Sequence, residues 1–146
     1  MISEKLENCM KQLVHAMAEM NQQIFVSGDY ADFLSLCNND ISILVLLLEY
    51  PGETAKQISG RLKLPKTTVV TAVARLVKRG FLTREKNPRD GREQFLLLSE
   101  LGKKAVTQHK KYEKEFMDQF IHLFQEEDYE TLAEILERSK ICSITK

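Results

Sequence analysis

Apolar residues at spacings of three and four open the chain. Ile2, Leu6, Cys9, Met10, Leu13, Met17, Met20 and Ile24 form a stripe, widened by Val14 and Ala16, that predicts one long helix over residues 2–26. Gly28-Asp29 breaks it. Asn38, Asn39 and Asp40 offer N-cap oxygens, and residues 41–50 are apolar almost all round. A central buried helix is expected there, ended by Pro51-Gly52. Thr54 and Gln57 stand at capping-box spacing, so a short helix follows to about Leu62, with Ala55, Ile58 and Leu62 inward. Lys63-Leu64 make the turn, and Pro65 suits the first position of the next helix. That helix should run to Arg79, with Val69, Ala72, Val73 and Leu76 inward and Gly80 as its stop.

The period then changes. Phe81 to Lys86 and Glu93 to Leu98 read as two strands around a turn of Asn, Pro, Asp and Gly. Ser99 caps another long helix, with Leu101, Ala105, Val106, Tyr112, Phe116, Phe120 and Leu123 roughly on one face. Glu126, Glu127 and Asp128 supply negative charge at the start of a final helix whose apolar side is Tyr129, Leu132, Ile135 and Leu136. The fold class predicted is mainly α with a small β-hairpin wing, a winged helix-turn-helix with long dimerisation helices. At 146 residues one domain is expected. Its winged lobe would span about 38–98 and its dimerisation helices about 2–27 and 99–144.

Charge sharpens this picture. The formal net charge is zero, yet residues 56–92 hold 11 of the 21 Lys and Arg and only two acids, Glu85 and Asp90. That block is net +9 and the remaining 109 residues are net −9. Such a block is the electrostatic footprint of a nucleic-acid binder. In a helix-turn-helix the second helix enters the major groove. With the four apolar residues inward, its outward face shows Lys66, Thr67, Val70, Thr71 and Ala74. Thr hydroxyls can bond base edges, and Thr and Val methyls can pack on thymine methyls. Arg75, Lys78 and Arg79 suit phosphates. Arg84, Lys86, Arg89 and Arg92 load the hairpin, where Arg is suited to a narrow minor groove.

The run from Leu62 to Gly80 resembles the recognition helix of the MarR family of bacterial and archaeal regulators. The run from Asp90 to Gly102 resembles that family's wing signature: Asp-x-Arg, a strand, then Leu-Ser/Thr-x-x-Gly opening a helix. The order of helices matches over nearly the whole chain. The resemblance implies a homodimer whose first and last two helices interlock, with two winged lobes reading a pseudo-palindrome in double-stranded DNA. It implies that Asp90 orients the wing, that Arg92 enters the minor groove, and that Lys66, Thr67, Thr68 and Thr71 stand at recognition positions. It also implies repression relieved by a small aromatic ligand, a metal or an oxidant. Three positions depart from the pattern: Pro65 replaces a frequent Ser, Val70 a frequent polar residue, and Gly91 removes one possible basic contact.

The residues carry independent hints. Apolar stripes on 2–26, 101–124 and 129–144 exceed what one lobe of this size covers, which favours burial against a twin. Met10, Met17, Met20 and Phe25 could line a soft pocket for a small-molecule effector or simply fill the dimer core. Cys9, Cys37 and Cys142 form no CxxC pair. Cys9 is a possible redox sensor; the alternative for it and for Cys37 is a small core residue. His109 and Glu113 share a helix face, but two ligands make no metal site, and no metal or other cofactor is expected. No Ser-His-Asp arrangement, phosphate loop or dinucleotide fingerprint points to an enzyme. The acidic, amphipathic start is unlike a signal peptide, and Ile43 to Leu48 is too short to span a bilayer, so a cytoplasmic location with no membrane partner is expected. Two rivals stand beside the ligand-responsive repressor: a regulator switched through Cys9, and a winged-helix protein-interaction module that binds no DNA.

Overall fold

A computed structural model describes residues 3–139. Its elements in chain order are α1 (Glu4–Ser27), α2 (Ala31–Leu34), α3 (Asn38–Glu49), α4 (Ala55–Leu62) and α5 (Lys66–Lys78). Then come β1 (Leu82–Lys86), β2 (Gln94–Leu98), α6 (Glu100–Ile121), a single 3-10 turn (Glu126–Asp128) and α7 (Tyr129–Arg138). The described residues form two compact units: Gly28–Glu113, and residues 3–27 together with 114–139. Among the described residues, no helix is long and apolar enough to cross a membrane.

Residues 28–113 form the winged helix. Ile43, Leu44 and Leu47 of α3, Ile58 of α4, and Val69, Ala72, Val73 and Leu76 of α5 are buried in one cluster with Leu82, Leu96, Ala105 and Val106. The inward face expected for α5 is the observed one. Thr54 caps α4 as its spacing required: Gln57 N–H donates to its Oγ1 at 3.3 Å, and Thr54 N–H donates to Gln57 Oε1 at 2.8 Å. Gly80 ends α5 at φ +83°. Gly80 N–H donates to Val77 O and Phe81 N–H to Leu76 O, the paired bonds of a Schellman turn.

The two strands pair antiparallel with Leu82 opposite Leu98 and Lys86 opposite Gln94. Residues 52 and 53 add a short third edge, since Gly52 N–H donates to Leu96 O and Leu96 N–H to Glu53 O. The hairpin is thereby tied to the entrance of α4. Ser99 ties it to the exit of α5: its Oγ donates to Gly80 O and accepts from Gly102 N–H. A Cβ at Gly102 would collide with the carbonyl oxygen of Phe81, so the Ser-x-x-Gly spacing is a docking device as well as a helix start.

Several expectations are corrected. The N-cap of α3 is Cys37, not one of residues 38–40, and Asp40 takes the N3 place in the capping box. Pro65 is the N-cap of α5 rather than its first helical residue, because its backbone stays extended at ψ 138°. Cys9 and Cys37 are exposed rather than in the core of this chain. On α1 this follows from the stripe itself, for Leu6, Met10 and Val14 are exposed too. On Cys37 it follows from the N-cap position, which turns the side chain outside the helix. The short α2 was not anticipated. It sits against α6 through Gln108, which accepts from Phe33 N–H at 3.1 Å and donates to Asp32 at 3.2 Å. Cys142 and the expected end of the last helix lie outside the described residues.

The other unit holds α1, the last turns of α6, and α7. Phe116 stacks on Phe120 with centroids 6.1 Å apart, and Phe124 meets Phe120 edge-on at 5.4 Å. Ile135 and Leu136 of α7 are exposed, like Leu6, Met10 and Val14 in the first half of α1, whereas Met20 and Ile24 further along that helix are buried.

Candidate nucleic-acid interface

The outward face of α5 is open. Lys66, Thr67, Val70, Thr71 and Ala74 are all exposed, and Val70 is 47% exposed. Two grooves flank that face. The first, about 330 Å³, lies between α5 and the hairpin, with Lys56, Lys66, Arg84 and Arg92 on its walls and Val70, Val73 and Leu96 among its apolar residues. Strand alternation puts Leu82, Arg84 and Lys86 on one face of β1, so Lys86 continues the line of Arg84 outward. The second groove, about 460 Å³, runs along the other side of α5 past Cys37, Asn39, Thr67, Thr68, Thr71 and Arg75.

The hairpin tip is built by short polar side chains. Asn87 N–H donates to Glu93 O at 3.0 Å, closing the loop. The Asn87 side chain accepts from Arg89 N–H at 2.9 Å, and Asp90 Oδ1 accepts from Arg92 N–H at 3.0 Å. Both are Asx-type bonds that turn the backbone two residues on. Asp90 therefore fixes the main chain of Arg92 and leaves the guanidinium exposed.

The cations of the basic block divide into two classes. Arg61 is engaged by Glu53 at 3.1 Å and lies 3.9 Å over the Tyr50 ring; the Glu53 hydrogen bond raises its pKa above the ordinary arginine value. Arg75 pairs with Asp40, and that hydrogen bond raises its pKa in the same way. Arg79 donates to Ser35 O at 3.0 Å and to Ser35 Oγ, with its guanidinium 5.2 Å over Phe81. Among the described residues, Lys56, Lys63, Lys66, Lys78, Arg84, Lys86, Arg89 and Arg92 form no ion pair. These unpaired cations carry the excess positive potential.

The expected site residues thus separate. Lys66, Val70, Arg84 and Arg92 line the first groove, and Thr67, Thr68, Thr71 and Arg75 the second. Lys78, Lys86, Arg89 and Asp90 lie on neither wall, being at the end of α5 and at the hairpin tip. Lys56 joins the first groove without having been anticipated. The Thr54 capping box was the available signal, since it fixes Lys56 in the first turn of α4. Cys9 belongs to the other unit. His109 and Glu113 do meet, at 3.2 Å, but among the described residues no three His, Cys, Asp or Glu gather to hold a metal ion.

Comparison with known proteins places this lobe. Residues 36–103 match the MarR family model. The chain is 30% identical over 89 residues to the transcriptional regulator AdcR of Streptococcus pneumoniae, a stretch covering 61% of this chain and 60% of that regulator's length. Solved structures of similar fold include the YusO protein of Bacillus subtilis, with TM-score 0.71, 16% identity, and 94% of this chain and 96% of that one covered. FabT of Streptococcus pneumoniae, solved in complex with DNA, has TM-score 0.70, 19% identity, and coverage of 99% and 100%. The PcaV regulator of Streptomyces coelicolor has TM-score 0.67, 18% identity, and coverage of 96% and 98%. Over residues 36–103 the winged lobe is thus similar to the MarR family, and these solved structures share the winged helix-turn-helix fold.

Proposed function

We propose that the protein is a sequence-specific DNA-binding regulator that acts as a homodimer on a pseudo-palindromic operator, and that it is a ligand-responsive repressor. The observation that carries the reading is the first groove: four unpaired or free-ended cations, Lys56, Lys66, Arg84 and Arg92, converge beside an exposed helix face of Thr and Val. Lys66, Thr67, Thr68, Val70 and Thr71 read the major groove. Arg92, held by its Asp90-bound backbone, probes the minor groove with Arg89 beside it. Lys56, Lys78, Arg84 and Lys86 grip phosphates. The similar fold of FabT was solved on DNA, which supports the DNA assignment. PcaV was also solved with its natural ligand, which supports a small-molecule effector here.

Dimerisation rests on the apolar faces. Leu6, Met10 and Val14 of α1 and Ile135 of α7 are each at least half exposed in the single chain. A face of that kind is suited to an isologous contact with a second copy.

Electrophoretic retention of duplex DNA against salt tests the reading. A dimer neutralising about six to ten phosphates should lose roughly 10³ to 10⁵ in affinity between about 50 and about 200 mM salt. Arg92→Ala should weaken operator binding by about 1–3 kcal/mol if the guanidinium reaches bases. Salt-independent retention, or none, would exclude a DNA-reading function and favour a protein-interaction module.

A further inference from the structure

We propose that Asp40 is a positioning residue for α5, holding Arg75 as a strut and withdrawing it from the cations offered to DNA; this rests on the DNA-binding reading above. Asp40 is 1% exposed, at the third position of α3. A carboxylate so buried persists only with its oxygens paired. Cys37 N–H donates to Oδ2 at 3.4 Å, which completes the first turn of α3. Arg75 donates from Nε to Oδ2 at 3.3 Å and from Nη2 to Oδ1. Two parallel bonds between a planar guanidinium and a carboxylate fix rotation as well as distance.

The geometry gives this pair leverage on recognition. Arg75 stands one turn after Thr71 and two after Thr67–Thr68, and these residues share the second groove with it. Anchoring Arg75 to the start of α3 therefore fixes the roll of α5 about its own axis. Roll decides whether the Thr67 and Thr71 side chains point at base edges or at sugar. Arg79, bonded to Ser35, gives the C-terminal end of the helix a second tie to the same segment. The pair itself is neutral, so it adds geometry without adding attraction to phosphate.

The test uses the full chain, a duplex recovered from a random library by the wild type, and an unrelated duplex of equal length. Asp40→Asn and Arg75→Gln should each lower affinity for the recovered duplex about tenfold. Affinity for the unrelated duplex should stay within about twofold, and the slope against salt should not change. The double variant should be no worse than either single one, and Arg75→Lys, which lacks the fork, should not restore recognition.

A phosphate-gripping Arg75 predicts the opposite. Asp40→Asn would free a cation and tighten both duplexes, and Arg75→Gln would flatten the salt slope by about one. Either result overturns the proposal. So does an equal loss on both duplexes that tracks a loss of folded protein, which would make the pair structural only. If the wild type recovers no duplex, the DNA-binding reading falls and takes this inference with it. If the wild type binds and Asp40→Asn binds equally well, the inference fails alone.

Discussion

Arg75 and Arg92 are the same side chain in the same basic block, and what faces each one separates them. Arg75 meets a buried carboxylate, whereas Arg92 is presented by a backbone bond from Asp90 with its guanidinium exposed. Sequence alone makes Arg75, Lys78 and Arg79 equivalent cations, because the partners Asp40 and Ser35 lie 35 and 44 residues away along the chain. Local capping, in contrast, was legible. The Thr54-x-x-Gln57 spacing states its own hydrogen bonds, and both are present. Thr54→Ala should cost about 1 kcal/mol in urea denaturation, through loss of one cap to the backbone. An unchanged midpoint would mean that α4 is held by Ile58 packing and not by its cap.

At the scale of elements, period decided what could be read. The 3.6-residue pattern of α5 gave its four buried residues, and the switch to alternation gave the hairpin within one residue at each strand start. Helix α2 has only four residues, too few to show a period, and its place depends on Gln108 far along the chain. Asn38, Asn39 and Asp40 all have cap-forming side chains, yet the N-cap of α3 is Cys37, because Asp40 serves the capping box from the N3 place. Two glycines offer a sharp contrast. Gly102 packs against the Phe81 carbonyl with no room for a methyl, so Gly102→Ala should destabilise the lobe by about 1–3 kcal/mol. Gly60 sits in α4 with open space around it, so Gly60→Ala should stabilise by about 0.5–1 kcal/mol. Thermal unfolding of the two variants should shift in opposite directions; a common direction would contradict the packing described for α6.

For the whole molecule, the charge split acquires a structure. Of the cations in residues 56–92, Arg61, Arg75 and Arg79 are bound within the lobe, and six of the unpaired ones lie along α5 and the hairpin: Lys66, Lys78, Arg84, Lys86, Arg89 and Arg92. The acidic remainder of the chain would discourage DNA from other surfaces. The proposed assembly makes its own demand. Met10 is 50% exposed on α1, and Met10→Asp should dissociate the dimer in sedimentation velocity, with a loss of affinity for a full operator. A wild-type chain that sediments as a monomer at micromolar concentration would remove the dimer from the proposal.

The most direct test of the central claim is selection of bound duplexes from a random library by the wild-type chain. A homodimeric DNA reader should enrich a two-fold symmetric site whose half-sites are about one helical turn, roughly 10 base pairs, apart centre to centre. Enrichment of no common site would contradict sequence-specific recognition by α5 and the hairpin.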